Sequence, residues 1–237
     1  MSRLSKAETG ISAILLFGSR ARGDHAQGSD TDLLLVSPAE VPKRTSIGQV
    51  SMFYYPWRQL ATNAANGDLF VCHIVREAKP IFDPLDQLPA LRGLFRLRAS
   101  YEHEIAQASD VGWLIDRHAD DFDPQVVLRR MVWCVRTILI AKLAERGNPV
   151  FAPAMLAAMA PSTAAADILA GRHRGRANLS LQRGFRRFLA SEGRRSPLEA
   201  DASVSSYRAF FEQTHNGVGL QTIDSAGGHL TDDGRYS

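Results

Sequence analysis

Residues 14–36 read ILLFGSRARGDHAQGSDTDLLLV, and this stretch decides the fold of the first part of the chain. The apolar run at 14–17 is short and is closed by Gly18, which predicts a buried strand. A second apolar run at 33–36 follows a polar loop and predicts another strand. Between the two runs lies the pattern G-S-x10-D-x-D, whose fixed residues each have a chemical use.

Gly18 and Ser19 stand where the first strand ends and a helical turn is expected to begin. Glycine lets the backbone approach a ligand closely, and the serine adds a hydroxyl beside backbone N–H groups at the start of the turn. Arg20 and Arg22 follow and place positive charge near an anion. These four residues predict a binding site for nucleotide phosphates.

Asp30 and Asp32 stand two positions apart at the start of the second strand. Because successive strand side chains alternate between faces, both carboxylates are expected to point the same way. Two adjacent carboxylates repel each other unless a divalent cation neutralises them, and Mg²⁺ favours one or two carboxylates together with substrate phosphates. The aspartate pair is therefore predicted to bind the metal and to be catalytic in phosphoryl or nucleotidyl transfer.

On these residues the stretch resembles the nucleotidyltransferases of the DNA polymerase β superfamily, most closely their minimal, prokaryotic branch. The similarity covers the glycine and serine, to which the resemblance assigns the triphosphate, and the aspartate pair, to which it assigns Mg²⁺ or Mn²⁺. It extends to Phe17 and to residues 20–24. The resemblance implies a small mixed-sheet nucleotidyltransferase domain with an NTP as its substrate.

The same resemblance implies a third carboxylate on a strand that faces the aspartate pair, where it completes the metal site and helps to deprotonate the attacking hydroxyl. The run VSMFYY at 50–55 is predicted to be this strand, the third of the chain. It contains no acid, and Ser51 stands about where the acid is expected. Three interpretations stay open: a nucleophile activated otherwise, an acid recruited from elsewhere, or a nucleotide binder that does not transfer.

The remainder of this domain is predicted to contain two helices and an edge strand. The first helix covers 57–65, and Asp68 is expected to cap the second, which carries His73. Apolar residues flank His73, so we expect a packed, hydrogen-bonded histidine rather than a catalytic base. Residues 80–82 predict the edge strand, where proline is tolerated.

Beyond a stretch with two prolines, the apolar residues follow helical spacing. Helices are predicted at 91–118, 126–146, 153–169, 179–191 and 198–214. The chain is thus predicted to be an α+β protein with a nucleotidyltransferase domain at 1–84, a linker at 85–90, an all-helical bundle at 91–215 and a flexible tail at 216–237. The resemblance implies that such a bundle receives the acceptor or a partner.

Residues 171–196 contain eight arginines and a single acid, Glu192. This density of positive charge suits a polyanion, either nucleotide phosphates or RNA, with tRNA among the candidates. The alternative is a solvated helix face whose arginines pair with acids elsewhere in the fold. The predicted anion or RNA surface consists of Arg172, Arg174, Arg176, Arg183, Arg186 and Arg187.

The composition is ordinary for a soluble protein, with 45% hydrophobic residues, 22% charged residues and a formal net charge of +3 over 237 residues. Cys72 and Cys134 lie far apart in apolar segments and predict buried free thiols in a reducing cytosol. Residues 1–10 lack a signal-peptide core, and no apolar run approaches the roughly 20 residues that span a bilayer, so a cytoplasmic protein is expected. Residues 3–9 predict a short helix before the first strand.

Motif and resemblance together predict a Mg²⁺-dependent enzyme that transfers an NMP from an NTP to an acceptor and releases pyrophosphate. The acceptor is expected to be an RNA end or the side chain of a partner protein, and the resemblance implies a toxin–antitoxin or defence setting. The missing acid leaves a second hypothesis: a catalytically weakened nucleotide-binding module that acts through a protein or RNA partner. A small alcohol such as an aminoglycoside is a further alternative acceptor.

Overall fold

The computed structural model describes residues 10–25, 27–38, 40–171 and 177–225, which form two compact units that divide between Arg98 and Ala99. The first unit holds a mixed sheet with helices, and the second is built from helices, so the predicted α+β class is confirmed. The predicted helix at 3–9 and three members of the predicted arginine surface, Arg172, Arg174 and Arg176, lie outside the described residues.

The sheet of the first unit has the strand order β3-β4-β2-β1-β5. β1 pairs antiparallel with both β2 and β5, β2 pairs parallel with β4, and β3 pairs antiparallel with β4. The strands are β1 (Ala13–Phe17), β2 (Thr31–Val36), β3 (Lys43–Ile47), β4 (Val50–Tyr55) and β5 (Lys79–Phe82).

The described residues of this unit also form the helices α1 (Gly18–Arg22), α2 (Trp57–Ala65), α3 (Leu69–Glu77) and α4 (Gln87–Leu94). Asp68 caps α3 as predicted, because its side chain accepts the N–H of Val71 at 2.8 Å. Both β1 and β4 bury every second residue. The sequence alternation thus separates a covered face of the sheet from a more open one.

Phe70 of α3 is the centre of the aromatic core on the covered face. Its ring lies 5.8 Å from Phe17, 5.8 Å from Phe53 and 5.2 Å from Tyr55, measured between ring centroids. Phe17 is paired with Asp32 in the β1–β2 register, and paired residues share a face. The helix-covered face therefore also carries the predicted metal ligand.

The strand predicted as third in the chain is the fourth, because residues 43–47 form β3 at the sheet edge. No strand is predicted at residues 43–47 from the sequence. The sequence of β3, KRTSI, lacks the apolar alternation that marks a half-buried strand, and most of its residues are exposed. Gly48 has φ of 56°, a conformation that favours glycine, and it opens the tight turn into β4.

The predicted linker at 85–90 differs from the structure, in which α4 begins inside it and packs in the first unit. The Asp83 carboxylate accepts the N–H groups of Gln87 at 2.8 Å and Leu88 at 2.9 Å, which caps the helix. Pro89 falls in the first turn, where its missing N–H costs no helical hydrogen bond.

The second unit contains α5 (Glu102–His118), α6 (Pro124–Glu145), α7 (Pro153–Ala158), α8 (Thr163–Ala170), α9 (Leu179–Glu192), α10 (Val204–Gln213) and α11 (Gly217–Asp224). The predicted helix at 91–118 is two helices, because the chain becomes extended at Phe95 before α5 begins. The one predicted at 153–169 is also two helices, since Pro161 interrupts it and Ser162 caps the second.

The predicted flexible tail differs from the structure up to residue 225, because α11 lies within it. Asn216 caps this helix by accepting the N–H of Gly219 at 3.0 Å, and its side chain donates to the Gln107 carbonyl of α5 at 3.0 Å. Cys72 and Cys134 are buried free thiols, as predicted. In the described part of the chain, no helix has the length and apolar character needed to cross a membrane.

Candidate nucleotide and metal site

Strands β1 and β2 bring Gly18 directly against Asp32. Gly18 has φ of 72°, and a Cβ added to it would lie only 2.7 Å from Asp32 Oδ2. Any side chain there would have to displace the carboxylate, and an L-residue would also be strained by the positive φ. The positive φ favours glycine at this position, and the short approach places one end of the predicted phosphate site beside the predicted metal site.

Ser19 lies in the short helix α1, which starts where β1 ends. The N-cap residue is Phe17, whose side chain cannot accept a hydrogen bond, so α1 has no side-chain cap from this residue. The Ser19 carbonyl accepts the N–H of Gly23 at 2.9 Å and of Asp24 at 3.1 Å, which ends the helix in a tight turn. Gly18 and Ser19 are thus held as one rigid corner beside Asp32.

Asp30 is exposed and immediately precedes β2, whereas Asp32 lies in β2 and is half-buried. Arg20 holds the loop that leads to this pair, because its Nε and Nη2 donate to the Ser29 carbonyl at 3.3 Å and 2.8 Å. The guanidinium predicted to bind phosphate thus also positions the residue before Asp30. A direct contact between Arg20 and a nucleotide stays a prediction.

Arg22 belongs to a network of charges on the other side of α1. Its Nη1 donates to Glu77 Oε2 at 2.5 Å, and its Nε lies 3.2 Å and 3.1 Å from the two carboxylate oxygens of Asp24. Glu77 also lies 2.8 Å from His73 Nε2. These contacts give Arg22 a structural role, and its predicted binding to a nucleotide remains untested.

The pKa shifts of Glu77 and Arg22 both favour the charged form of these two side chains. Burial alone raises the pKa of Glu77, but the hydrogen bonds and charges of His73 and Arg22 lower it below its ordinary value. Burial alone lowers the pKa of Arg22, but its hydrogen bonds to Asp24 and Glu77 raise it. His73 is buried and packs edge-on against Phe17 at 5.5 Å, the packed histidine that its apolar neighbours predicted.

Ser51 occupies the position expected for the third acid. It pairs with Asp32 across the parallel β2–β4 register and is only 3% exposed. Its hydroxyl accepts a hydrogen bond from Arg44 Nη2 at 3.0 Å and lies 3.3 Å from the hydroxyl of Ser46. A neutral hydroxyl and a guanidinium therefore stand where the resemblance implies a third carboxylate.

The sequence predicts the position of Ser51 but not that of Arg44, because no strand is predicted between residues 36 and 50. A hairpin whose tight turn starts at Gly48 would have paired Ser46 with Ser51 and Arg44 with Phe53, as the structure does. Gly48, directly before the predicted strand at 50–55, was the available signal for such a turn.

No group of three or more His, Cys, Asp and Glu side chains that could hold a metal ion occurs among the described residues. The Asp30 and Asp32 pair still fits one Mg²⁺ ion, since carboxylate oxygens are its preferred protein ligands and phosphates and water supply the others. The close approach of Gly18 to Asp32 agrees with such shared binding, because it sets the predicted phosphate site against a metal ligand.

Helix α9 of the second unit carries the described part of the arginine surface. Its buried side includes Phe185 and Phe188, and its exposed side bears Arg183, Arg186 and Arg187. The Nε of Arg186 donates to both Asp116 oxygens at 3.1 Å and 2.9 Å, so this arginine pairs with an acid elsewhere in the fold, as the alternative interpretation expected.

A profile of the family described as "Nucleotidyltransferase domain" matches residues 1–78, the stretch that contains β1, β2, β4 and the site built on them. The N-terminal part of the chain is a nucleotidyltransferase domain of the polymerase β type. No curated protein matches the chain at a significant level.

The nucleotidyltransferase domain and the helices that follow are similar to one solved structure, a nucleotidyltransferase-like protein from Exiguobacterium sibiricum. The sequence identity is 15% and the TM-score is 0.33, over 88% of this chain and 74% of that one. At this TM-score the likeness adds nothing to the assignment made from residues 1–78.

Proposed function

We propose that this protein transfers an NMP from an NTP to an acceptor and releases pyrophosphate. The observation that carries the proposal is the approach of Gly18 to Asp32, because a Cβ at Gly18 would lie 2.7 Å from the carboxylate inside a nucleotidyltransferase domain. This corner has the residues needed to hold a triphosphate against a metal ligand.

In the proposed site, Gly18 and Ser19 bind the β- and γ-phosphates through their backbone N–H groups and the Ser19 hydroxyl. Asp30 and Asp32 hold Mg²⁺ or Mn²⁺, which when bound offsets the charge that develops on the transferred phosphate. Arg20 orders the loop before Asp30 and adds positive charge near the anion. The network of Arg22 and Glu77 fixes α1 from the side that faces α3.

We propose an RNA end as the acceptor, with tRNA the first to be tested. The support is positive charge: Arg183 and Arg187 are exposed on one face of α9, and the segment at 171–196 is rich in arginine. The side chain of a partner protein, in a toxin–antitoxin or defence setting, is the second candidate acceptor, and an aminoglycoside-type alcohol is the third.

The test is to incubate the purified protein with each of the four α-³²P-labelled NTPs, Mg²⁺ or Mn²⁺, and either bulk tRNA or cell extract. We expect metal-dependent label on RNA, and its loss in an Asp30→Asn, Asp32→Asn double variant. Glu40→Gln is the control, since Glu40 is an exposed acid of the same domain. Label on protein instead would overturn the RNA proposal and keep the transfer reaction.

A nucleotide-binding module without transfer is the second candidate function, and Ser51 is the observation that favours it. If the wild type binds an NTP with Mg²⁺ but labels neither RNA nor protein, this candidate replaces the enzyme. If the Asp30→Asn, Asp32→Asn double variant keeps the effect of the wild type in cells, this would also favour the nucleotide-binding module without transfer.

A further inference from the structure

We infer that Arg44 and Ser51 form a binding position for a phosphate oxyanion beside Asp32, in place of a third metal ligand. The inference rests on the proposed function, because it assigns this anion to a reactant of that site. Arg44 and Ser51 both lie outside residues 14–36, and neither belongs to the motif.

Strand register places the three side chains on one face of the sheet. Asp32 pairs with Ser51 across β2 and β4, and Arg44 pairs with Phe53 across β3 and β4. Residues 51 and 53 of one strand share a face, so Arg44 lies on the side of the sheet that carries Asp32. Its guanidinium reaches back along this face to the Ser51 hydroxyl, at 3.0 Å.

The contacts with Ser51 and Phe53 help to hold the guanidinium in this position. Besides the bond to Ser51, its Cζ lies 5.0 Å from the centre of the Phe53 ring, within the range of a cation–π contact. Phe53 is itself held in the core, with its ring centroid 5.3 Å from that of Phe17. An arginine held in this way loses little rotamer freedom when it binds an oxyanion.

The chemistry of this position is opposite to that of a carboxylate. A carboxylate beside Asp32 would attract a second divalent cation and could accept a proton. A guanidinium stays protonated, repels a cation and offers several N–H donors that match phosphate oxygens. The site therefore takes one divalent cation at Asp30 and Asp32, and a phosphate oxygen lies where another cation would otherwise bind.

The phosphate has two possible sources, which an experiment can separate. It belongs either to the bound triphosphate or to an acceptor that carries a terminal phosphate. In the second case the acceptor arrives already ionised, so a base at Ser51 is not needed to remove its proton.

Lys43 provides a matched control for Arg44. It is the preceding residue of β3, and its Nζ lies 4.9 Å from the centre of the Tyr54 ring, so it also makes a cation–π contact. Lys43 pairs with Tyr54 and therefore points to the opposite face. Lys43→Gln removes the same unit charge from the same strand without touching the proposed position.

The experiment measures, by calorimetry, the affinity of a non-hydrolysable NTP with Mg²⁺ and again in EDTA, for the wild type and the variants Arg44→Gln, Arg44→Lys and Lys43→Gln. Loss of a charge-assisted hydrogen bond predicts roughly tenfold weaker binding for Arg44→Gln under both conditions. We expect Arg44→Lys to keep part of the affinity and Lys43→Gln to keep nearly all of it. Spin-resonance titration with Mn²⁺ and the NTP is expected to count one bound ion per chain.

If the phosphate is the acceptor's, Arg44→Gln leaves NTP affinity unchanged and weakens binding of a 5′-phosphorylated oligoribonucleotide relative to its 5′-hydroxyl counterpart. Two bound Mn²⁺ ions in the wild type would overturn the inference. So would Arg44→Gln affinities equal to those of Lys43→Gln for both the NTP and the oligonucleotide. A wild type that binds no NTP with Mg²⁺ is a different result, since it removes the proposed function itself.

Discussion

Asp32 lies on β2, between two regions that differ in chemistry: β1 with α1 on one side, and the β3–β4 hairpin on the other. On one side, β1 and α1 carry the predicted phosphate-binding residues, and Gly18 has a φ that favours glycine and lies close to the Asp32 carboxylate. On the other side, the β3–β4 hairpin places Ser51 and Arg44 where related enzymes usually carry an acid. The predicted phosphate side therefore carries the residues of the motif, whereas the side on which the resemblance implies a third carboxylate carries a guanidinium.

This difference separates nucleotide binding from activation of the acceptor. The corner at Gly18 needs only backbone groups and one metal site to hold a triphosphate. A base and a second cation would have to come from the hairpin, and a buried hydroxyl with a guanidinium supplies neither. Substitutions on the two sides should accordingly change different measurable quantities.

The largest effect is expected from Gly18→Ala, which changes the corner between β1 and α1 beside Asp32. The added Cβ would displace the Asp32 carboxylate, so NTP affinity with Mg²⁺ is expected to fall by about 100-fold or more. The positive φ should also cost about 1–2 kcal/mol of unfolding free energy. Calorimetry and chemical unfolding measure the two effects separately.

Gly23→Ala is the control for this prediction. Gly23 has φ of 86°, but an added Cβ would meet no atom within 4 Å. It should share the loss of stability and keep most of the NTP affinity. Equal affinities for the two variants would mean that contact with Asp32 does not matter.

Glu77→Ala is expected to weaken the support of α1 without entering the site. Arg22 and Glu77 are 16% and 14% exposed at their side chains, so removal of the acid leaves a poorly hydrated guanidinium. We expect a loss of about 2–3 kcal/mol in unfolding free energy at pH 7. Asp24→Ala removes the more exposed partner of the same arginine and should cost less than about 1 kcal/mol.

The effect of Glu77→Ala should depend on pH in a defined direction. Since the folded protein lowers the pKa of Glu77, its stabilisation is present above the ordinary value of 4.5 and is lost as the pH falls through the lowered value. Urea unfolding at pH 7 and pH 3.5 should show the gap between wild type and variant narrowing in acid. A gap that stays constant would show that packing, not charge, accounts for the loss.

Ser51→Asp tests whether a carboxylate placed beside Asp32 can bind a metal ion while Arg44 is present. In the wild-type background the new carboxylate would pair with Arg44, so Mn²⁺ affinity should rise only about twofold. Combined with Arg44→Gln, the same substitution should raise it about tenfold, because the carboxylate is then available to the metal. Equal gains in both backgrounds would show that Arg44 does not act on this position.

The two sides also differ in how well the sequence predicts them. Gly18 and Asp32 could be predicted because their spacing is local and both flanking strands are buried and apolar. Arg44 could not, because β3 is an exposed edge strand whose polar residues resemble a loop. Its role depends on pairing with β4, and pairing partners are not visible in a single run of residues.

The starts of α4 and α11 were not predicted, also for physical reasons. Residues 85–90 resemble a linker because they contain Pro89, but the first turn of a helix tolerates proline and the Asp83 carboxylate caps α4 from outside it. Asn216 likewise caps α11 and buries its own side chain, although the glycines around it suggested a loose chain. In both cases a single polar side chain decides where the helix begins.

A small loss of affinity is expected from Arg20→Gln, which tests whether this arginine contacts the nucleotide or only holds the loop before Asp30. Its two hydrogen bonds to the Ser29 carbonyl hold the residue before Asp30, so their loss should loosen one metal ligand. We expect NTP affinity with Mg²⁺ to fall roughly threefold to fivefold, with little change in unfolding free energy. Affinity in EDTA should stay unchanged if Arg20 acts only through the loop. A matching loss in EDTA would instead place the guanidinium on a phosphate, because a contact with the anion does not need the metal.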